Sequence, residues 1–102
     1  MITRFKIYEM IKVSSSSKNP RIDSYVVVNM VIDSYYLDET KDRIKIMNNS
    51  ICQIKDINRN SYNIECDKID NYTRWIKDLS IIAFSDNKED LEPILASEKY
   101  NL

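Results

Sequence analysis

Asp23 and Asp70 are the two residues whose type and spacing come nearest to a catalytic pair. Each precedes a tyrosine by two positions, Tyr25 in the first case and Tyr72 in the second. Paired carboxylates that share one proton are the catalytic groups of aspartic proteases. Those enzymes hold each aspartate in a loop that contains glycine, and this chain has no glycine. We therefore expect both aspartates to serve as turn or cap residues that satisfy backbone N–H groups.

The only two cysteines, Cys52 and Cys66, allow two interpretations. A hairpin centred on Arg59 would bring them face to face, where they could form a cross-strand disulfide. In an intracellular protein two buried thiols are the favoured alternative. A zinc site is disfavoured, because the chain has no histidine and carboxylates would have to complete the ligand set. We expect no metal and no cofactor.

Two absences from the composition narrow the function further. Without histidine the chain lacks the commonest general base and the commonest metal ligand. Without glycine it cannot form a Gly-rich phosphate loop or a nucleophile elbow. Since no remaining set of Asp, Cys, Lys or Tyr has catalytic spacing, we predict that the protein is not an enzyme.

Length and composition indicate one folded domain. The 102 residues are 43% hydrophobic and 30% charged, which is typical of a globular chain with a real core. No apolar stretch approaches the roughly 20 residues that span a bilayer, and the N-terminal residues do not resemble a secretory signal. We expect an intracellular protein that is neither secreted nor inserted in a membrane.

An internal repeat is the main organising feature. A shift of 47 residues places residues 21–25 on residues 68–72, and without a gap it also matches Ile7 to Ile54 and Lys41 to Lys88. Because the matches keep one register, we predict a tandem duplication, with repeat units at residues 1–47 and 48–102.

Each unit is predicted to begin with a strand, at residues 5–13 in the first and 51–57 in the second, because apolar and polar residues alternate there. Asn58, Arg59 and Asn60 then form a turn. The resulting hairpin pairs Cys52 with Cys66 and Ile54 with Ile64. The corresponding residues 14–20 of the first unit are predicted to form a loop.

A longer segment follows in each unit, at residues 25–36 and 72–83. The run of three valines at residues 26–28 favours a strand. In the second unit Tyr72, Trp75, Ile76 and Leu79 have helical spacing instead. We favour strands in both. After the shift of 47 residues, the apolar residues of both segments fall on the same alternate positions, as one face of a strand requires. These residues are Val26, Val28, Met30 and Ile32 in the first unit and Trp75, Leu79, Ile81 and Ala83 in the second.

A helix closes each unit. The first begins at Asp38 or Glu39, and we expect it to bury Ile44, Ile46 and Met47. The second is capped by Ser85 or Asp86, and its predicted buried residues are Leu91, Ile94 and Leu95. Pro93 must lie in the first helical turn or divide the segment. The predicted fold is α+β, with the two units related by a pseudo-two-fold axis.

The second faces of the long strands are unusually apolar for surfaces in water. They present Tyr25, Val27, Val31 and Tyr35 in one unit and Tyr72, Ile76, Ile82 and Phe84 in the other. Either the units pack together there or part of the surface binds a partner. Because docked units leave a groove along their seam, we predict a non-enzymatic interaction module that binds a protein or extended peptide there. The predicted partner-binding residues are Tyr25, Tyr35, Tyr72, Trp75 and Phe84.

Nucleic-acid binding is the alternative function. The candidate residues near the N-terminus are Arg4, Lys6, Lys12, Lys18 and Arg21. The formal net charge of -1 disfavours this alternative, since phosphate-binding domains usually carry a basic excess. The first 47 residues carry a small positive charge and the rest a small negative charge, a division that suits pairing with another protein.

The chain is rich in Ile, Lys, Asn and Tyr and has almost no Ala, a composition that AT-rich coding sequences produce. With its length, its lack of glycine and its 47-residue repeat, it resembles the orphan small proteins of filamentous viruses that infect hyperthermophilic archaea. The resemblance covers the general character of the whole chain and rests on no motif. It implies a location in the host cytoplasm or in the virion, and a contact with a host or virion protein. It implies no functional residues.

Overall fold

The computed structural model describes residues 11–14 and 18–100, which form one six-stranded mixed sheet with a helix on each face. The elements in chain order are β1 (Ile11–Ser14), β2 (Tyr25–Val28), α1 (Asp38–Asn48), β3 (Ile51–Asn58), β4 (Ser61–Cys66), β5 (Thr73–Lys77), β6 (Ile81–Ser85) and α2 (Glu92–Tyr100). Short 3-10 turns occupy Asp78–Ser80 and Lys88–Leu91. The α+β prediction is confirmed.

The strands lie in the order β1-β6-β2-β3-β4-β5. β1 and β6 are parallel, and the other neighbours are antiparallel. β2 therefore lies inside the sheet, between β6 and β3. Its three valines are all buried, because both faces of this part of the sheet are covered.

One core lies between the sheet and α1. Val26 and Val28 of β2 pack there with Ile44 and Met47 of α1 and with Phe84 of β6. Fully burying a side chain of this kind contributes about 1.5–3 kcal/mol. This face is the larger source of stability.

The second core lies on the opposite face of the sheet. Val27 contacts Ile51, Ala83 and Leu91 there, and residues of α2 pack against them. The alternation of neighbouring valines between two cores follows from the two-residue period of a strand.

The predicted hairpin forms, but a register shift between Ile54 and Asp56 moves the pairs nearer the turn by one residue, so the turn is not centred on Arg59. β3 and β4 are antiparallel, with Cys52 opposite Cys66 and Ile54 opposite Ile64. Arg59 turns the chain with a positive φ of 58°. In a chain without glycine, non-glycine residues must adopt the left-handed conformation, and Asp23 (77°) and Asn71 (55°) also do so.

The predicted long strands are shorter than expected. The first ends at Val28, and after one further hydrogen bond, from the amide of Asn29 to the carbonyl of Ser80, the chain leaves the sheet. Asn48, at the end of α1, binds both backbone groups of Met30, at 2.8 and 3.0 Å. The second predicted strand is divided into β5 and β6 by the Asp78–Ser80 turn. A strand is nevertheless the correct choice over a helix there.

Some expected core positions are corrected. Leu79 is exposed in the turn between β5 and β6, whereas Ile76 and Phe84, which we placed on the second face, belong to the main core. The division of the predicted strand changes which residues share a face. The helical spacing of Tyr72, Trp75, Ile76 and Leu79 has no structural counterpart.

Helix α1 begins at Asp38, as predicted, and buries Ile44 and Met47. Ile46 is 40% exposed, so its predicted burial is wrong. At 3.6 residues per turn, Ile46 lies about 200° around the helix from Ile44 and points away from the sheet.

The second helix begins later than predicted. Ser85 ends β6, and its hydroxyl accepts the N–H of Asn87 at 3.0 Å, which forms a turn ahead of the helical segment. Pro93 occupies the first turn of α2, where its missing N–H costs nothing. Leu91 is fully buried, and Ile94 and Leu95 pack against it as expected.

The structure does not confirm the tandem duplication. The two strands of the first predicted unit, β1 and β2, both pair with β6 of the second unit. The first predicted unit supplies one strand for the long segment, and the second supplies two. Of the predicted strand at residues 5–13, residues 5–10 lie outside the described residues, as do residues 15–17 of the predicted loop.

Candidate functional site

The direction of the backbone groups in the sheet can be followed outward from Ile54. Its N–H donates to the carbonyl of Ser24 (2.9 Å) and its carbonyl accepts from Asp23 (2.8 Å). Both groups therefore face the β2 side. In an antiparallel ladder this makes Ile54 and its partner Ile64 a non-hydrogen-bonded pair. The backbone groups of Ile64 consequently face β5.

The same alternation fixes the direction of the groups on β5. Ile64 lies opposite Arg74, so these two residues exchange backbone hydrogen bonds. The neighbouring residues Thr73, Trp75 and Lys77 then direct their N–H and C=O groups away from β4. In the described part of the chain no strand lies beyond β5. Among the described residues, a row of backbone donors and acceptors thus has no partner strand at this edge.

A depression of about 220 Å³ runs along the edge. Four consecutive β5 residues border it, which shows that the strand presents its edge, and not one face, to the depression. We call it the β5 groove, and its lining residues are Met30, Val31, Asp33, Tyr36, Arg74, Trp75, Ile76, Lys77 and Ser80. One wall comes from residues 30–36 and the other from residues 74–80. The groove therefore lies where the two predicted units meet.

Two arginines and two tyrosines bind one another beside the groove, and we call them the Arg–Tyr cluster. The guanidinium carbon of Arg43 lies 4.7 Å from the ring centroid of Tyr72. Arg74 lies 5.3 Å from the ring centroid of Tyr36 and donates to the Tyr72 hydroxyl at 3.3 Å. Cation–π contacts of this kind contribute about 0.5–2 kcal/mol each. They join α1, β5 and the segment before α1.

The two arginines differ in their charge partners. Arg43 forms an exposed ion pair with Glu39 at 3.1 Å, one helical turn away. Within the described ranges no carboxylate lies at ion-pair distance from Arg74. In this part of the chain Arg74 is held by its contact with the Tyr36 ring and its hydrogen bond to the Tyr72 hydroxyl, so its positive charge is available to an anion in the groove.

The opposite face of β5 carries a large aromatic side chain. Trp75 is 47% exposed and lies across from Asn63 of β4. The Oδ1 atom of Asn63 is buried and has no hydrogen-bond partner in the described part of the chain. The strand thus presents a cation on its α1 side and an indole on the other side.

Three of the five predicted partner-binding residues lie at or near the groove. Trp75 lines it, Tyr72 belongs to the Arg–Tyr cluster, and Tyr35 is 79% exposed with its ring packed edge-on against Tyr36 at 5.1 Å. The negative charge of Asp33 raises the pKa of the Tyr35 hydroxyl above its ordinary value, with a smaller contribution from Tyr36. Tyr35 is therefore a neutral hydrogen-bonding group at neutral pH.

The other two predicted residues lie elsewhere. Tyr25 packs on the second core, beside a separate depression that Lys88 also lines. Phe84 is 1% exposed and belongs to the main core, so it is not part of an accessible surface.

Sequence reasoning missed Tyr36, Arg43 and Arg74. These residues come from three different elements, and none repeats with a period that marks a site. The one sequence feature that could have indicated the site is the charged residue Arg74, which lies in a strand two residues before the buried Ile76.

The residues considered for catalysis, a disulfide and a metal site lie outside the β5 groove. Asp23 and Asp70 are both exposed and lie in different turns. Asp23 occupies a turn, but the side chain that satisfies a backbone N–H there is Ser24, which accepts from Arg21 at 3.0 Å. Cys52 and Cys66 are buried free thiols. No group of three or more potential metal-ligating His, Cys, Asp or Glu side chains occurs among the described residues.

The residues proposed for nucleic-acid binding do not form one described surface. Arg4 and Lys6 lie outside the described residues, Lys12 is exposed on β1 at the opposite edge of the sheet from β5, and Lys18 is exposed in the segment before β2. Arg21 lies 3.5 Å from the carboxylate of Asp86, which offsets its charge. Nucleic-acid binding stays an untested prediction.

No family model, curated protein or solved structure matches the chain. The resemblance to archaeal virus proteins therefore stays a prediction as well. In the described ranges, neither helix has the length and apolar character needed to span a membrane.

Proposed function

We propose that the protein is a non-enzymatic interaction module that binds an extended segment of a partner protein as an added strand along β5. The observation that carries the proposal is the edge of β5, where Thr73, Trp75 and Lys77 direct their backbone groups away from β4 beside the β5 groove and no described strand pairs with them. Main-chain hydrogen bonds give affinity in this mode of binding, and pockets for alternate side chains give specificity.

The two faces of β5 suggest the chemistry of the bound segment. Side chains of an added strand alternate between the faces. Those on the α1 side would meet Arg74 and the rest of the Arg–Tyr cluster, where a carboxylate gains a charge-assisted hydrogen bond. Those on the other side would meet Trp75, which favours an apolar or aromatic residue. The expected segment alternates acidic and apolar residues.

A selection experiment tests the proposal. A library of random segments of about six residues, the common strand length, is selected on the immobilised protein. The affinities of the selected peptides are then measured through the fluorescence of Trp75, which is the only tryptophan. We expect saturable binding and an enrichment of acidic residues that alternate with apolar ones.

A proline at the edge supplies the decisive variant. The N–H of Lys77 points away from β4, and its φ of -88° is close to the value that proline requires. Lys77→Pro should therefore preserve the sheet while it removes one outward donor and blocks strand addition. Lys77→Ala is the matched control, since it removes the charge and keeps the N–H. Equal peptide affinity for the two variants, or no selected peptide at all, would refute the proposal.

A further inference from the structure

The two cysteines occupy a pairing site that suits a covalent bridge. Cys52 lies two residues before Ile54 and opposite Val26 of β2. Because backbone direction alternates along a strand, the groups of Cys52 also face β2. Cys52 and Cys66 are therefore a non-hydrogen-bonded pair, in which the two Cα atoms are about 4.5 Å apart and the side chains are close. Disulfides form at Cα separations of about 4.4–6.8 Å.

The two thiols have different surroundings, although both are buried. Cys52 lies inside β3, and its Sγ is 3.7 Å from the carbonyl of Met47, to which it donates. Cys66 is the last residue of β4, and its Sγ accepts the backbone N–H of Lys68 at 3.4 Å. Burial, and secondly the nearby Cys66, raise the pKa of the Cys52 thiol.

We propose that Cys52 and Cys66 form a redox modification site, which a small disulfide of the glutathione class converts into a cross-strand disulfide. Cys66 reacts first, because it borders the turn at residues 67–71 and can be reached when that turn opens. The N–H of Lys68 also stabilises negative charge on its sulfur during attack. Cys52 is the resolving thiol, and its place directly across the ladder favours ring closure over a lasting adduct.

The reaction is a pair of thiol–disulfide exchanges. Cys66 loses its proton and attacks one sulfur of the oxidant, which breaks the oxidant's S–S bond and releases one small thiol that takes up a proton. Cys52 then loses its proton and attacks the Sγ of Cys66, which displaces the second small thiol. Two cysteine thiols are oxidised to one disulfide, and one small disulfide is reduced to two thiols.

The test uses the full chain, reduced and then incubated under native conditions with oxidised glutathione. Mass spectrometry of the intact protein should show the loss of two hydrogen atoms without a glutathione adduct, and a nonreducing digest should join the peptides of Cys52 and Cys66. The bridge closes a loop of 15 residues, so the thermal midpoint should rise by roughly 5–15 °C. Native protein that keeps both thiols free, while urea-unfolded protein oxidises in the same buffer, would overturn the proposal.

Two single variants test the order of attack. Cys52→Ala should accumulate a stable glutathione adduct on Cys66, since no resolving thiol is present. Cys66→Ala should react at least tenfold more slowly, because Cys52 lies inside β3, whereas Cys66 ends β4 beside the turn at residues 67–71. Equal adduct formation in the two variants would disprove the assigned roles. The result from the unsubstituted protein stands even where a variant folds poorly.

Discussion

The guanidinium of Arg74 lies 5.3 Å from the ring centroid of Tyr36, and this contact closes one side of the β5 groove. The arginine projects from an edge strand, while the tyrosine belongs to the irregular segment that precedes α1. Their contact holds a cation next to the open backbone groups of Trp75. The proposed recognition of an acidic strand depends on this arrangement.

Arg74→Ala should weaken binding of the selected acidic peptides by roughly tenfold or more, the value of one hydrogen bond to a charged group. Arg74→Lys should recover only part of the loss, because an ammonium lacks the planar fork that stacks on tyrosine. Fluorescence titration of Trp75 measures both. Lys55→Ala removes an exposed cation from β3, where it pairs with Glu65, and should change the affinity little. If Lys55→Ala and Arg74→Ala weakened binding equally, nonspecific charge attraction would explain the result.

Asn48→Ala should lower the free energy of unfolding by about 2–3 kcal/mol, since it removes both hydrogen bonds to the backbone of Met30. The neighbouring Asn49 offers a matched control. Its amide donates to the carbonyl of Lys45 at an exposed position, so Asn49→Ala should cost below about 0.5 kcal/mol. Urea denaturation compares the two variants. Equal losses would mean that Asn48 does not anchor the segment along the groove.

Arg59→Gly should raise the free energy of unfolding by roughly 0.5–1 kcal/mol. Arg59 has a φ of 58°, which is unfavourable for a residue with a Cβ atom, and this gain exceeds the extra backbone entropy of glycine in the unfolded chain. The adjacent Asn60 has no positive φ. Asn60→Gly should therefore be neutral or destabilising, and thermal unfolding of both variants provides the comparison. A loss of stability in Arg59→Gly would contradict the idea of strain at this turn.

Stability should fall with pH above about pH 9. Burial is the main cause that raises the pKa of the Cys52 thiol from its ordinary 9.0, and burial followed by the charge of Asp78 raises the pKa of Tyr62 from 10.0. Below these ordinary values both groups are neutral in the folded and unfolded chains. At higher pH the unfolded chain releases protons that the folded chain retains, so unfolding is favoured by up to about 1.4 kcal/mol per pH unit and group.

Urea denaturation of the reduced protein from about pH 8 to about pH 11 measures this dependence. Cys52→Ala should remove most of the loss of stability that begins near the ordinary pKa of cysteine, 9.0. Tyr62→Phe should remove the part that begins near the ordinary pKa of tyrosine, 10.0. The exposed pair of Lys88 and Asp67 also loses stability at high pH. The hydrogen bond to Asp67 and its charge raise the pKa of Lys88, and this stabilisation disappears when Lys88 loses its proton. A decline that persists unchanged in both variants would assign the effect to such surface pairs.

The β3–β4 hairpin and its pairs Cys52–Cys66 and Ile54–Ile64 were predictable, because they depend on two adjacent alternating runs and a short turn between them. The register shift between Ile54 and Asp56, which moves the later pairs by one residue, was not predictable. The position of β6 between β1 and β2 was not predictable either, since it joins residues that are distant in the sequence. The Asp78–Ser80 turn also escaped prediction. No glycine or proline marks it, and the apolar residues on either side continue the strand pattern.

The candidate site was predicted only in part. Aromatic residues at the junction of the two halves indicated the region of Tyr35, Tyr72 and Trp75. Phe84 was misplaced because breaking the predicted strand changes which of its residues face the core. Arg74 and Tyr36 could not be paired from the sequence, since their contact depends on how the segment before α1 turns back along β5.

The parallel pairing of β1 with β6 has a consequence for the order in which the protein is made. Ile11 lies opposite Ala83, so β1 has no neighbour among the described strands until residues 81–85 have left the ribosome. The β3–β4 hairpin can form much sooner, because its loop is short and costs little entropy to close. We expect β1 to join the sheet last during synthesis. After β6 has formed and before β1 pairs with it, the outer edge of β6 is an open template on which nascent chains can pair with one another.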